Sequence, residues 1–134
     1  MLTLDTSGLI ALFDRRDSNH ERCALALDND SGPYFLPVAL LGELAWFIER
    51  RYTPRVAEAL LSDLEDGSYT PYWDAGDIPR IGELTARYAD LSLGIVDAAV
   101  IACAEQNGGA VLTTDYRHFY TVARGEKSIT VVPE

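Results

Sequence analysis

Lysine is all but absent from this chain. Lys127 is the only one, and the other ten cationic side chains are arginines. Against twenty-one acids they leave a formal charge of −10. A protein that grips nucleic acid by charge alone must neutralise phosphates with Lys and Arg, so that class is excluded. An enzyme that reaches phosphates through bound cations is not. Cysteine is equally scarce. Cys23 and Cys103 lie far apart, each next to alanine, and form neither a CxxC pair nor a zinc spacing. They read as two buried thiols, and a disulfide is not expected in a reducing cytosol. His20, three residues before Cys23, offers only a fragment of a metal site. No stretch approaches the ~20 apolar residues that cross a bilayer. The most apolar segment, Ile95 to Ala104, is short and carries Asp97. The N-terminus has neither the basic segment nor the long apolar run of a signal peptide, so a cytoplasmic location is expected.

What is present suits one domain spanning residues 1–134. The chain is 48% hydrophobic, and a chain of this length buries roughly two-thirds of its unfolded surface. There are no repeats, linkers or low-complexity tracts. Small arginine clusters occur at Arg15–Arg16, Arg50–Arg51–Arg55 and Arg117–Arg124–Lys127. The planar guanidinium fork suits phosphate or carboxylate, although each cluster also reads as solvated surface.

Hydrophobic periodicity orders the elements. Leu2–Asp5 is a short strand ending in an acid, followed by a helix over Ser7–Arg15 and another over Glu21–Leu27. Tyr34–Leu36 is a strand stopped by Pro37. Val38–Arg51 is a helix, with Leu41, Leu44, Ala45 and Ile48 on one face. Thr53 caps the next, which has Pro54 in its first turn and runs to about Glu65 before Gly67. Tyr69–Tyr72 reads as a third strand, Asp77–Tyr88 and Ile95–Gln106 as helices, Ala110–Thr113 and Ser128–Val132 as the last strands. Strands alternating with helices predict an α/β fold, a parallel sheet with helices on both faces.

Most of the acids fall on polar helix faces or in loops. Four do not. Asp5 and Asp115 follow strands at their carboxyl ends, where ligands bind in open parallel sheets. Glu43 lies near the beginning of the helix after the second strand. Asp97 opens the helix before the fourth, inside the run Leu93–Ile101. Each has a plainer reading. Asp5 and Asp115 can cap the helices that follow them, Asp97 can favour the positive end of a helix, and Glu43 can be an exposed helix residue. Together they point to one pocket. Crowded carboxylates raise one another's pKa and destabilise the fold, and a divalent cation removes that cost. An oxygen-only donor set suits Mg²⁺ or Mn²⁺ rather than Zn²⁺, and neither His20 nor His118 is placed to complete a zinc site. Hard cations in such a cluster are equipment for phosphodiester hydrolysis.

The motifs also resemble a known family. Leu4-Asp5-Thr6-Ser7-Gly8-Leu9-Ile10-Ala11-Leu12 looks like the start of a PIN domain of the VapC toxin type. Pro37–Leu44, with Glu43, resembles its second motif. Tyr88–Ala99, with Asp97, resembles the third, and Val111–Phe119, with Asp115, the fourth. The likeness covers nearly the whole chain in the right order. It implies a flavodoxin-like sheet of about five strands. It implies Mg²⁺ or Mn²⁺ at Asp5, Glu43, Asp97 and Asp115, and RNA cleavage by a metal-activated water that leaves a 3′-hydroxyl and a 5′-phosphate. Thr113 matches a hydroxyl residue that orients the site, and Asp90 is a second-tier candidate that either assists the cluster or caps a helix. The resemblance further implies a homodimer, a VapB-type antitoxin laid over the active site, and a tRNA or rRNA target.

Two rivals share the βα alternation. A phosphoacceptor receiver domain needs paired acids early and an acceptor Asp after the third strand, where this chain has Pro71-Tyr72-Trp73. A haloacid-dehalogenase-type phosphatase needs DxDxT, which Asp5-Thr6-Ser7 fails. A third alternative is a catalytically silent PIN fold that only binds RNA or protein. Loss of an acid would signal it, and none is missing.

Overall fold

The computed structural model describes all 134 residues. Five strands form one parallel sheet: β1 (Leu2–Leu4), β2 (Tyr34–Pro37), β3 (Thr70–Tyr72), β4 (Ala110–Leu112) and β5 (Thr130–Val132), in the order β3-β2-β1-β4-β5. Seven α-helices connect them: α1 (Thr6–Phe13), α2 (His20–Asp28), α3 (Leu41–Arg51), α4 (Pro54–Glu65), α5 (Ile78–Arg87), α6 (Ile95–Gln106) and α7 (Tyr116–Glu126). The chain steps outward from β1 to β3, then returns across the sheet to β4 and β5. With right-handed crossovers that reversal puts the helices of the two halves on opposite faces. Both faces of the central strands are therefore covered, and Leu2, Thr3 and Leu4 are all buried.

Helix α6 shows how sequence sets packing. Residues Ala98 to Ala104 are all buried, a run too continuous for an amphipathic surface helix. Four of those seven are alanines, which let the helix lie close against the sheet. Because α6 leads into the parallel strand β4, it runs back along the sheet, and its start, with Asp97, lies at the sheet's carboxyl edge. No helix is long and apolar enough to cross a membrane. Cys23 and Cys103 are both buried and unpaired, as expected.

The register at the centre of the sheet matters most. Thr3 lies beside Val111 and Leu4 beside Leu112. The Asp5 amide then donates to the Leu112 carbonyl at 3.0 Å. β1 and β4 thus end level, and the residues just beyond them, Asp5 and Thr113, meet.

The structure differs from the sequence reading at several boundaries. The first turn after β2, Val38–Leu40, is a 3₁₀ turn, and α3 proper begins at Leu41. Helix α1 stops at Phe13, short of Arg15, because Asp14 turns extended and closes it. β5 begins at Thr130 rather than Ser128. Helix α7 was anticipated only through the capping option at Asp115. Its core side is nonetheless regular: Phe119 and Val122 are buried, and Tyr116, Tyr120 and Ala123 pack beside them at helical spacing.

Candidate active site

Asp5 follows β1 and starts α1. It is 4% exposed, so its carboxylate needs internal donors. Two hydroxyls supply them to Oδ2, Thr113 Oγ1 at 2.8 Å and Ser7 Oγ at 2.9 Å. Ser7 and Thr113 also touch each other at 3.0 Å, and Ser7 Oγ accepts from the Thr114 amide at 2.9 Å. Thr113 Oγ1 accepts in turn from the Asp115 amide at 2.9 Å. A small hydroxyl network therefore locks Asp5 to the loop carrying Asp115. Burial still outweighs these bonds and holds the Asp5 carboxyl above the usual range, with the Glu43 charge adding to the rise.

Glycine makes this approach possible. A Cβ at Gly8 would run into the Leu112 carbonyl, so only glycine lets α1 lie this close to the end of β4.

Asp115 occupies the N-cap of α7. Its side chain accepts from the His118 amide at 3.4 Å, so the capping role and the site role coexist. The His118 ring adds Nδ1 at 2.8 Å and 3.1 Å from the two Asp115 oxygens. Its Nε2 lies 3.1 Å from the Leu91 carbonyl. A carbonyl and an ionised carboxylate only accept, so both contacts form together when the ring is an imidazolium donating from both nitrogens.

Asp97 lies in the first turn of α6 and is half-buried. Its carboxyl is pushed up to about 6, first by burial and then by the negative charges of Asp5 and Asp115; His118 opposes the rise and Glu43 adds to it. Asp97, Asp115 and His118 bring one potential ligand atom each within 4.8 Å of one another. Glu43 stands in the first turn of α3, exposed, on the solvent side of the cluster.

The structure thus draws Asp5, Asp97 and Asp115 together and sets Glu43 within reach of their charges. Thr113 lies between two of the acids. Asp90 is different. It sits in the exposed 3₁₀ turn Ala89–Leu91 with no hydrogen bond or ion pair, and that turn serves the site through the Leu91 carbonyl instead. Sequence reasoning missed Ser7 and set His118 aside. The available signal was spacing: a hydroxyl two residues after Asp5, and a histidine three residues after an N-cap acid.

The donors fit a hard divalent cation. The open donors are carboxylate oxygens, and their mutual repulsion is visible in Asp97. They do not fit zinc as well. Both His118 nitrogens are engaged, and Cys103 is buried against Thr3 and Asn107.

Comparison with known proteins follows the same lines. The PIN domain family model matches residues 2–125. Ribonuclease VapC26 of Mycobacterium tuberculosis (strain ATCC 25618 / H37Rv) is 27% identical over 135 residues, covering 98% of this chain and 100% of the relative. Mycobacterium tuberculosis VapC20, a sarcin–ricin loop cleaving toxin, has a crystal structure that superposes with a TM-score of 0.78 at 19% identity. That match covers 90% of this chain and 95% of the other. The crystal structure of FitAcB from Neisseria gonorrhoeae gives a TM-score of 0.64 at 20% identity, over 98% and 96%. At those identities the two structures establish a shared fold.

Proposed function

The chain belongs to the PIN domain family, and on that premise we propose that it is a metal-dependent endoribonuclease, the toxin of a VapB–VapC-type pair. One observation carries the reading. Acids from four separate segments converge beyond β1 and β4, and burial, with their charges added, lifts the Asp97 carboxyl to about 6. Carboxylates so crowded have a use when they hold a cation. The full-length similarity to ribonuclease VapC26 supports RNA as the substrate.

In this proposal Asp5, Glu43, Asp97 and Asp115 hold Mg²⁺, with Mn²⁺ as a substitute. When bound, such a cation activates a water, orients the phosphate and stabilises the leaving oxygen. The chain's own residues do the rest. Thr113 and Ser7 hold Asp5 in one orientation. His118 and the Thr113 hydroxyl hold Asp115 from two sides. With the Asp97 carboxyl held up to about 6, protons compete with a cation for it, so occupancy falls as pH drops. Glu43 reaches the cluster from solvent, where a phosphate arrives.

The partners in this reading are an RNA of the tRNA or rRNA class, a VapB-type antitoxin and a second copy of the chain. An acidic pocket suits an inhibitory segment bearing arginine.

The test is cleavage of a structured RNA in Mn²⁺ and in EDTA, with the ends mapped. Wild type should cut only with metal, leaving a 3′-hydroxyl and a 5′-phosphate, and Asp5→Asn and Asp97→Asn should be inactive. If both variants cut at the wild-type rate, the activity belongs to a contaminant and the reading fails.

A further inference from the structure

A pocket of carboxylates repels the strand it is meant to cut, and a chain of −10 offers little general attraction. The useful question is where unpaired cations lie. Arg80 and Arg87 are not free. They are held by Glu83, Glu105 and Glu126. Arg22 is bonded to the Glu134 carbonyl. Arg15, Arg117, Arg124 and Lys127 are exposed without a carboxylate partner, and so, on adjoining helices, are Arg50, Arg51 and Arg55.

Arg50 and Arg51 rest on aromatic rings instead. The Arg50 guanidinium lies over Trp46, 4.2 Å from the ring centroid, and that of Arg51 over Phe47 at 5.1 Å. The two rings meet edge to face at 5.2 Å. Trp46 is 49% exposed, while the buried side of α3 is carried by Leu44 and Ile48. Packing therefore does not account for this tryptophan. A guanidinium stacked on a ring keeps its N–H edge free for an anion.

Position gives the feature its meaning. Glu43, Trp46, Phe47 and Arg50 stand at i, i+3, i+4 and i+7 of one helix, and so share a face. At 1.5 Å per residue the stripe runs about 10 Å from Glu43. It starts at the acid cluster and leads away from it.

We propose that this face of α3 is a track for single-stranded substrate RNA leaving the carboxylate pocket. A base stacks on Trp46, and the Arg50 and Arg51 guanidinium groups take neighbouring phosphates. RNA is the occupant because it offers both things the stripe receives, flat base faces and phosphate charge. A second copy of this chain brings a formal charge of −10 but no regular alternation of flat bases and phosphates. The inference rests on the ribonuclease reading and adds to it a place outside the cluster where the strand is held.

The test separates the two. A Trp73→Phe background leaves Trp46 as the only tryptophan. A single-stranded oligoadenylate is titrated in EDTA, where no cleavage is expected, and fluorescence is followed. Saturable quenching is expected. Affinities of the variants are read from the anisotropy of an end-labelled oligoadenylate, since Trp46→Leu has no tryptophan left to quench, and Trp46→Leu should weaken binding about 10-fold or more. Arg50→Gln with Arg51→Gln should flatten the slope of log affinity against log salt by about 1.4, at ~0.7 per phosphate on a single strand. The KM for RNA in Mn²⁺ should rise in the same variants, with unchanged melting curves. Unquenched fluorescence together with wild-type affinity in both variants overturns the track while leaving the ribonuclease reading intact. So does a loss of self-association in Trp46→Leu with RNA affinity unchanged, which makes the face a contact between copies. Saturable quenching without metal-dependent cleavage retains the track and overturns the enzyme.

Discussion

The Thr113 hydroxyl donates to the Asp5 carboxylate at 2.8 Å, across 108 residues of sequence. The same oxygen accepts the Asp115 amide. One side chain therefore sets the spacing between two acids from different strands. Its position follows from register, because Leu4 and Leu112 are paired and the next residue on each strand is the one that matters.

Thr113→Val keeps the branched shape and removes the hydroxyl. It leaves buried Asp5 with one donor fewer and the Asp115 amide without its acceptor. The expected cost is about 1–3 kcal/mol of stability. Metal affinity and cleavage rate should each fall by a factor of about 10–100, as when a group supporting a ligand is lost. Thr113→Ser restores the hydroxyl and should recover most of the rate. Calorimetric metal titration and initial rates measure both. A Thr113→Val enzyme at full rate would show that the network is ornamental to the chemistry.

His118 makes the matching prediction on the other acid. Its ring ties Asp115 to the Leu91 carbonyl. His118→Ala should loosen Asp115 and weaken Mn²⁺ binding by about 10-fold, with a smaller effect on the binding of single-stranded RNA in EDTA. Equal losses in both measurements would point instead to direct contact between the ring and the substrate.

The pH dependence follows from Asp97. Its folded pKa, about 6, lies above its ordinary value of 3.8. A group raised in this way contributes stability that is fully present below about 3.8 and lost as pH rises through about 6. In EDTA, Asp97→Asn should therefore melt above wild type at pH 7.5, and the gap should close as pH falls to about 4. With Mn²⁺ present the order reverses at pH 7.5, because only wild type gains from the ion. The Mn²⁺-induced rise in Tm should shrink below about pH 6, where protons compete for the same oxygens. A metal-induced shift that stayed constant from pH 7.5 to pH 5 would contradict this account.

How much of this was legible in the chain can be argued residue by residue. Asp5 and Asp115 were readable because a parallel sheet opens at its carboxyl edge, and both acids follow strands. Asp97 was readable from an acid inside an apolar run. Glu43 was readable only jointly with the others, since its own surroundings are those of an exposed helix residue. Ser7 and His118 were readable only as spacings, not as roles. Their roles depend on where a side chain points and on partners distant in sequence, the Thr114 amide for one and the Leu91 carbonyl for the other. Nor was the arginine–glutamate cluster at Glu126 readable, because Arg80 and Arg87 lie on another helix and look like ordinary surface charges.

That cluster gives a stability prediction opposite in sign to Asp97. The Tyr88 hydroxyl donates to Glu126 at 2.6 Å, and Arg87 and Arg80 add ion pairs. Together they lower the Glu126 carboxyl to about 2. A depressed carboxylate stabilises above its unfolded pKa, ordinarily 4.5, and that contribution is lost as pH falls towards 2. Glu126 is 7% exposed on its side chain, so little solvent screens it. Glu126→Gln should cost about 2 kcal/mol at pH 7, and its deficit against wild type should narrow below pH 4. A deficit independent of pH would assign the loss to packing.

Gly8 faces the Leu112 carbonyl with no room for a Cβ. The obstacle is backbone in the central part of the sheet, which cannot rotate away as a side chain would. Gly8→Ala must therefore push α1 outward, costing about 1–3 kcal/mol through overpacking. In a mid-helix position without that neighbour, alanine would stabilise by about 1 kcal/mol, so even the sign of the effect reports the contact. Helix α1 carries Ser7, and Asp5 precedes it, so the shift also lengthens the hydroxyl bridges to Thr113 and Thr114. Cleavage should fall further than stability alone explains, at temperatures where the variant is fully folded. Gly82→Ala is the control, since that helical glycine has nothing near its missing Cβ. It should leave activity untouched and raise Tm slightly. If Gly8→Ala behaves like Gly82→Ala in both measurements, α1 does not press on β4 and the geometry that joins Asp5 to Thr113 has another origin.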